Sequence, residues 1–184
     1  MSEELIIRHG APTLAGLKTG SVFQCPYQDA GMLLRELRQL NVQLSPKGLR
    51  ILPLRFSQNR ALLYLYRPGR LKRDLKQTDA ACILRERGYC PENCSLCGAK
   101  LGKKLRQGGE FPHEIGLFLG YPPEDVRGFM DNGECKCTGC WKVYGDEAEA
   151  RKTFALYKKC TRIYHDRWQK GRPLDRLTVQ KNEE

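Results

Sequence analysis

Residues Ala61–Arg67 read ALLYLYR, an apolar run without polar alternation. A strand with one face in water alternates apolar and polar residues, so an unbroken run belongs to a strand covered on both faces. This segment is therefore expected at the centre of a sheet. Leu49–Phe56 is a second apolar run, and Ser57-Gln58-Asn59-Arg60 joins the two as the turn of a β-hairpin. Pro68-Gly69 ends the hairpin. Gly20–Phe23 and Trp141–Tyr144 are further strand candidates. In the latter, Trp141 and Val143 share one face.

The remaining segments carry helical spacing. Ala30, Leu33, Leu34, Leu37 and Leu40 predict an amphipathic helix over 29–40 with Asp29 as its N-cap. Leu71 and Leu75 fit a short helix, 80–87 another, and 94–106 a third. Pro112 can open a helix that runs to Leu119, and Pro122-Pro123 stops it before a short helix over 124–130. Asp146 caps a long helix along which Ala150, Phe154, Tyr157, Thr161, Tyr164 and Trp168 recur every three to four residues. The tail from Gly171 is polar and expected to be loosely held.

Few strands, an antiparallel hairpin and several helices favour an α+β fold over a repeating βαβ design. The expected architecture is a small, mostly antiparallel sheet of about four strands packed with helices in two layers. The length of 184 residues suits a single domain over 1–170, with cysteine-rich insertions near 90–97 and 135–140 and a tail over 171–184. No apolar run reaches the roughly 18 residues of a membrane span. The opening MSEELIIRHG lacks the pattern of an export signal, so a cytoplasmic location is expected.

Nine cysteines, an odd number, argue against a closed set of disulfides, and in a reducing compartment thiols bind metal, do redox work or stay free. Six of them fall in two clusters, Cys90-Pro-Glu-Asn-Cys94-Ser-Leu-Cys97 and Cys135-Lys-Cys137-Thr-Gly-Cys140. Each contains a C-x-x-C, in which two thiolates can turn toward one ion, and two such pairs complete a tetrahedral zinc site. Cys94, Cys97, Cys137 and Cys140 are the favoured ligands, with Cys90 and Cys135 as alternates. The 39 residues between Cys97 and Cys137 exceed a zinc-ribbon gap and demand a folded insertion. An iron–sulfur cluster is the second option, because Cys90-x3-Cys94-x2-Cys97 has the ligand spacing of radical-SAM enzymes. The chain is short for that barrel, however, and Leu96 stands where an aromatic residue is usual.

The segment 112–122 (PHEIGLFLGYP), then Glu124-Asp125-Val126, Gly128-Phe129 and Gly139-Cys140-Trp141-Lys142-Val143-Tyr144, resembles an uncharacterised family of anaerobic bacteria known only as a domain of unknown function. The opening 11–18 (APTLAGLK) and Tyr66-Arg67 also match, so the resemblance covers most of the chain. It implies no activity, cofactor or site. The cysteine clusters are not a general mark of that family, which makes a metal site an elaboration of this member.

Within the family-like segment, His113 and Glu114 are candidates for acid–base chemistry. Leu117 stands where a zincin motif needs histidine, and adjacent helical residues point about 100° apart. Lys18, Arg67 and Lys142 lie beside expected strands and together can form a cationic pocket for a phosphate or carboxylate. There is no phosphate-binding loop, no dinucleotide fingerprint and no G-x-S-x-G. The leading reading is a metal–thiolate protein whose zinc ion or iron–sulfur cluster is structural or sensory. The alternative is a small enzyme acting on an anionic substrate through His113 and Glu114. A third is a nucleic-acid module driven by the net charge of +11.

Overall fold

A computed structural model describes residues 2–108 and 110–180. The chain opens with a helix, α1 (Glu3–Leu14), that its polar opening conceals. Glu3 and Glu4 occupy its first turn, where the helix dipole favours acids, and Ile6, Ile7, Ala11 and Leu14 form its buried face. Gly10 lets it lie flush on the sheet, since a Cβ there would meet Leu65 Cδ2 at 2.6 Å. Strand β1 (Gly20–Pro26) follows, then α2 (Ala30–Leu44), whose N-cap Asp29 accepts a hydrogen bond from the Met32 amide. A single 3-10 turn leads into the hairpin β2 (Arg50–Ser57) and β3 (Arg60–Tyr66). Its two turn residues, Gln58 and Asn59, both have positive φ, as a tight hairpin of right-handed strands demands.

The sheet order is β1-β3-β2, antiparallel throughout, with β3 central as its unbroken apolar run requires. Pro53 lies on β2, an edge strand that tolerates a missing N–H, and the register shifts beside it between Pro53 and Arg55. Helices cover both faces. Ala61, Leu63 and Leu65 face one core with α1, α2 and the long helix α8 (Glu147–Gln169). Leu62, Tyr64 and Tyr66 face the other with α3 (Pro68–Lys76), α4 (Thr78–Glu86), α5 (Cys94–Gln107), α6 (Ile115–Leu119) and α7 (Pro123–Met130).

The α+β class therefore holds, but the layers number three, because β3 is apolar on both sides. The expected fourth strand lies apart from the main sheet. Lys142–Val143 (β5) pairs only with Cys137–Thr138 (β4) in a separate two-stranded ribbon. The tail is also better anchored than its polarity suggests. A short helix, α9 (Leu174–Leu177), buries both leucines against the first core, and the Val179 amide donates to the Leu14 carbonyl at 3.1 Å. Residues 181–184 of the expected tail lie outside the described residues, as does Gly109, which with Gly108 is expected from the sequence to stop the helix over 94–106. Among the described residues no helix is long and apolar enough to cross a membrane.

Candidate functional site

The family-like segment folds around one carboxylate. Asp125, in the first turn of α7, is 3% exposed. Its Oδ2 accepts the Trp141 indole N–H at 2.6 Å, and its Oδ1 accepts the amides of Tyr144 and Gly145 at 2.6 and 2.7 Å. A buried carboxylate is tolerable only when donors satisfy it, and here three do. Glycines let the ribbon come this close. A Cβ on Gly128 would lie 2.4 Å from the Tyr144 ring, and one on Gly139 would lie 2.2 Å from the Phe154 ring of α8. The ribbon is thus clamped between α7 and α8, and this fixes Cys140 and Trp141.

An aromatic ladder results. Trp141 stacks on Tyr121 with centroids 4.8 Å apart and meets Phe154 edge-on at 4.5 Å. The Lys18 ammonium lies 5.1 Å from the Tyr121 ring centroid. Lys18 follows α1, where its amide donates to the Pro12 carbonyl at 3.1 Å. Burial pulls its amine down to about 8, and the Cys140 thiol pulls weakly the other way. Burial likewise raises the Cys140 thiol above its ordinary range, against the opposing effect of Lys18.

Lys18 and Cys140 border a cleft of about 620 Å³ between α1 and α8. Arg8 and His9 on α1 and Lys158, Arg162 and His165 on α8 also line it, with Asp166 the one acid. Among the described lining residues, cations outnumber acids heavily. Cys140 also borders a smaller, mostly apolar pocket of about 240 Å³, which holds His113, Phe129, Trp141 and Lys142. The His113 ring meets Phe129 edge-on at 4.8 Å, and the Lys142 ammonium lies 5.4 Å from the Phe129 centroid. His113 and Lys142 therefore do converge, on an aromatic wall.

Glu114 is differently placed. It is 3% exposed, and its Oε1 accepts the Tyr89 hydroxyl at 2.9 Å and the Lys104 ammonium at 2.5 Å. Burial alone would raise its carboxyl, but the hydrogen bonds from Lys104 and Tyr89 outweigh that and hold it below the ordinary range. His113 and Glu114 both border a recess of about 250 Å³ beside Lys104 and Arg87. The carboxylate there joins α6 to α5.

Arg67 does not join Lys18 and Lys142 in a cationic pocket. It is 0% exposed, and its guanidinium is committed to backbone carbonyls. Nε donates to Thr13 O at 2.8 Å, Nη1 to Lys47 O at 3.3 Å, and Nη2 to Leu14 O at 2.7 Å and Val179 O at 2.8 Å. A cation at the end of α1 also complements the helix dipole. Arg67 is a buried clamp on three segments.

The cysteine clusters stay separate. Cys94 and Cys97 open α5, which packs against β2, whereas Cys137 and Cys140 belong to the ribbon clamped by α7 and α8. Cys97 is 1% exposed, and its thiol donates to the Cys90 carbonyl at 3.0 Å. The Cys90 thiol turns to Glu92, and the Cys135 thiol to the Cys137 carbonyl at 3.1 Å. Among the described residues no group of three or more His, Cys, Asp or Glu side chains is placed to hold a metal ion. The expected zinc or iron–sulfur site on Cys94, Cys97, Cys137 and Cys140, with Cys90 and Cys135 as alternates, has no geometric support.

Sequence reasoning missed Asp125 and the basic faces of α1 and α8. The spacing of Lys158, Arg162 and His165 does place them on one helical face, which is a legible signal. Asp125 gave no such signal, because its partners are amides and an indole nearly twenty residues away.

The chain belongs to a family described as Protein of unknown function (DUF3793), whose profile matches residues 6–178. No curated protein and no solved structure matches it.

Proposed function

We propose that this member of the family binds a small anionic ligand in the cleft between α1 and α8, with Lys18 contacting the anion. The observation that carries the reading is the lining of this cleft, where Arg8, Lys18, Lys158 and Arg162 face Asp166 as the one acid among the described lining residues, with Lys18 half-buried over the Tyr121 ring. Burial lowers the Lys18 amine to about 8, opposed by the Cys140 thiol. An ammonium held this way lacks the counter-charge that normally offsets desolvation. A phosphate or carboxylate entering the cleft supplies it, and Arg8, Lys158 and Arg162 at the mouth steer such a ligand inward. Tyr157 and Thr161 line the cleft on the α8 side, with their hydroxyls donating to the Leu17 and Tyr157 carbonyls. Perturbed titration in a concave site is a recognised mark of function.

Calorimetric titration with inorganic phosphate and with malonate tests the reading. Wild-type protein should bind at least one of these probes, and Lys18→Met should weaken that binding about tenfold or more, the worth of one charge-assisted contact. Equal binding by Lys18→Met and wild type, or binding of neither probe, would remove the cleft as an anion site.

A further inference from the structure

We infer that the opposite face of the sheet carries a second ligand site, built for a planar aromatic ring bearing an anionic group, the chemistry of a nucleotide. A cavity of about 680 Å³ lies there between β2, β3, α3 and α5. Its volume falls within the roughly 300–1,000 Å³ typical of small-molecule sites. It is separate from the Lys18 cleft, which lies on the α1 and α8 side, so neither site depends on the other.

Three independent features of its wall define the ligand. The first is a preformed aromatic stack. Tyr64 and Tyr66 lie two residues apart on β3 and so share a face, and their rings are parallel within 2° at 4.6 Å. The Tyr64 hydroxyl donates to the Phe118 carbonyl at 2.6 Å, which locks its ring, and the half-buried ring of Tyr66 continues the stack along the cavity wall. A flat π-system is the natural extension of such a stack, and bases stack favourably on aromatic side chains whatever their identity.

The second feature is space. Helix α5 turns Gly98, Ala99 and Gly102 to the cavity, and a Cβ built on Gly98 meets nothing within 4 Å. Gly98 sits within α5, where glycine is less favourable than alanine. No neighbour requires the missing side chain, so the opening it leaves belongs to the cavity rather than to packing.

The third feature is charge. Arg50, Lys72 and Arg106 line the cavity, and no aspartate or glutamate does so among the described residues. Arg50 stands opposite Tyr66 in the strand register, so a cation adjoins the aromatic wall. One Arg106 N–H reaches the Leu54 carbonyl at 3.4 Å, which leaves most of its five donors for a ligand. An apolar ring alone would not call for three cations, and an inorganic anion alone would not call for the tyrosine wall.

The test is calorimetric titration of the full chain with AMP, GMP, CMP, UMP and FMN, with adenosine and inorganic phosphate as separate arms. At least one of the five should bind, and for AMP both half-ligands should bind about tenfold or more weakly. Gly98→Leu should abolish that binding while circular dichroism and the unfolding midpoint stay native-like, because leucine suits the helix and projects into open space. Tyr66→Ala should weaken it about tenfold. Lys18→Met should leave it unchanged, which separates this site from the α1–α8 cleft. The inference fails if none of the five binds at up to about 1 mM, if a well-folded Gly98→Leu binds as wild type does, or if a uridine decamer binds where no mononucleotide does.

Discussion

The Asp125 carboxylate and the Trp141 indole meet at 2.6 Å across sixteen residues, and this bond ties the start of α7 to the ribbon that carries Cys140. The same carboxylate takes the Tyr144 and Gly145 amides on its other oxygen. Every lone-pair direction in use faces a donor, so the group acts as a joint between segments. The Lys18 cleft inherits its shape from this joint, because Trp141 holds Tyr121 on one side and Phe154 on the other.

Asp125→Asn should therefore destabilise the fold although the side chain keeps its size. Asparagine retains one acceptor oxygen for the two amides but turns an NH2 group toward the indole N–H. A buried donor facing a donor costs about 1–3 kcal/mol. Urea unfolding should show the loss, and tryptophan emission should shift toward that of a more solvated indole. An unchanged midpoint and spectrum would mean that the ribbon does not depend on this bond.

Lys18 should make the protein less stable near neutral pH than in mild alkali. Its amine is lowered in the fold from 10.5 to about 8 by burial. Between those values the unfolded chain holds the Lys18 proton and the native one does not, so the Lys18 contribution to stability rises with pH across that window, while the raised thiols of Cys97 and Cys160 act in the opposite sense above about pH 9. Below about pH 8 both states hold the proton and the full desolvation cost persists. Lys18→Met should consequently stabilise the protein by about 1–3 kcal/mol at pH 7 and flatten the slope between pH 8 and 10. The same variant is expected to lose anion binding, so a more stable protein that binds less would separate a ligand role from a folding role. A neutral amine near pH 8 should also make Lys18 acylate faster than exposed lysines, measured by peptide mass spectrometry.

Arg67 gives a prediction of opposite sign. Arg67→Met removes the donors of four carbonyls on α1, on the segment after α2 and on the tail. The Thr13 and Leu14 carbonyls keep the Gly16 and Val179 amides, but the Lys47 and Val179 carbonyls lose the Arg67 donor, and a buried acceptor left unpaired costs on the order of 1–3 kcal/mol where water cannot replace the donor. A total loss of about 3 kcal/mol or more is expected in urea unfolding. Hydrogen exchange should accelerate first at Val179, whose carbonyl Arg67 holds and whose amide bonds the Leu14 carbonyl beside it.

How much was legible in the sequence follows from how local each signal is. The hairpin, the Asp29 and Asp146 caps and the aromatic stripe of α8 are written in adjacent residues, and all appear where the spacing places them. Helix α1 escaped notice because Gly10 and Pro12 interrupt its apolar face, although both residues are tolerated near its end. The third layer was implicit in the unalternating ALLYLY, but the count of layers depends on helices far away in sequence. Arg67 read as a pocket cation because arginine is rarely buried, and only the meeting of three distant segments shows otherwise. Lys18 was singled out as a cation beside a strand, and its neighbours on α1 and α8 became visible only once those helices were placed side by side. The cysteine pairs show the same limit. A C-x-x-C fixes two thiols near each other, yet whether two pairs meet is a property of the whole fold.

That last point has a chemical test. Cys97 and Cys160 are buried and their thiols are pushed up to about 11 by burial, and burial also raises Cys25. Thiolate is the reactive form, so these three should alkylate slowly with iodoacetamide at pH 8. Cys82 and Cys90 are exposed and should react first. Because among the described residues no group of three or more His, Cys, Asp or Glu is placed to hold a metal ion, added zinc should leave the order of labelling unchanged. A tetrathiolate site would instead protect Cys94, Cys97, Cys137 and Cys140 together, since metal-bound sulfur is withheld from the reagent. Quantifying each cysteine peptide with and without stoichiometric zinc distinguishes the two patterns. Joint protection of those four would show that the clusters come together around metal, against the separate placement seen in the fold.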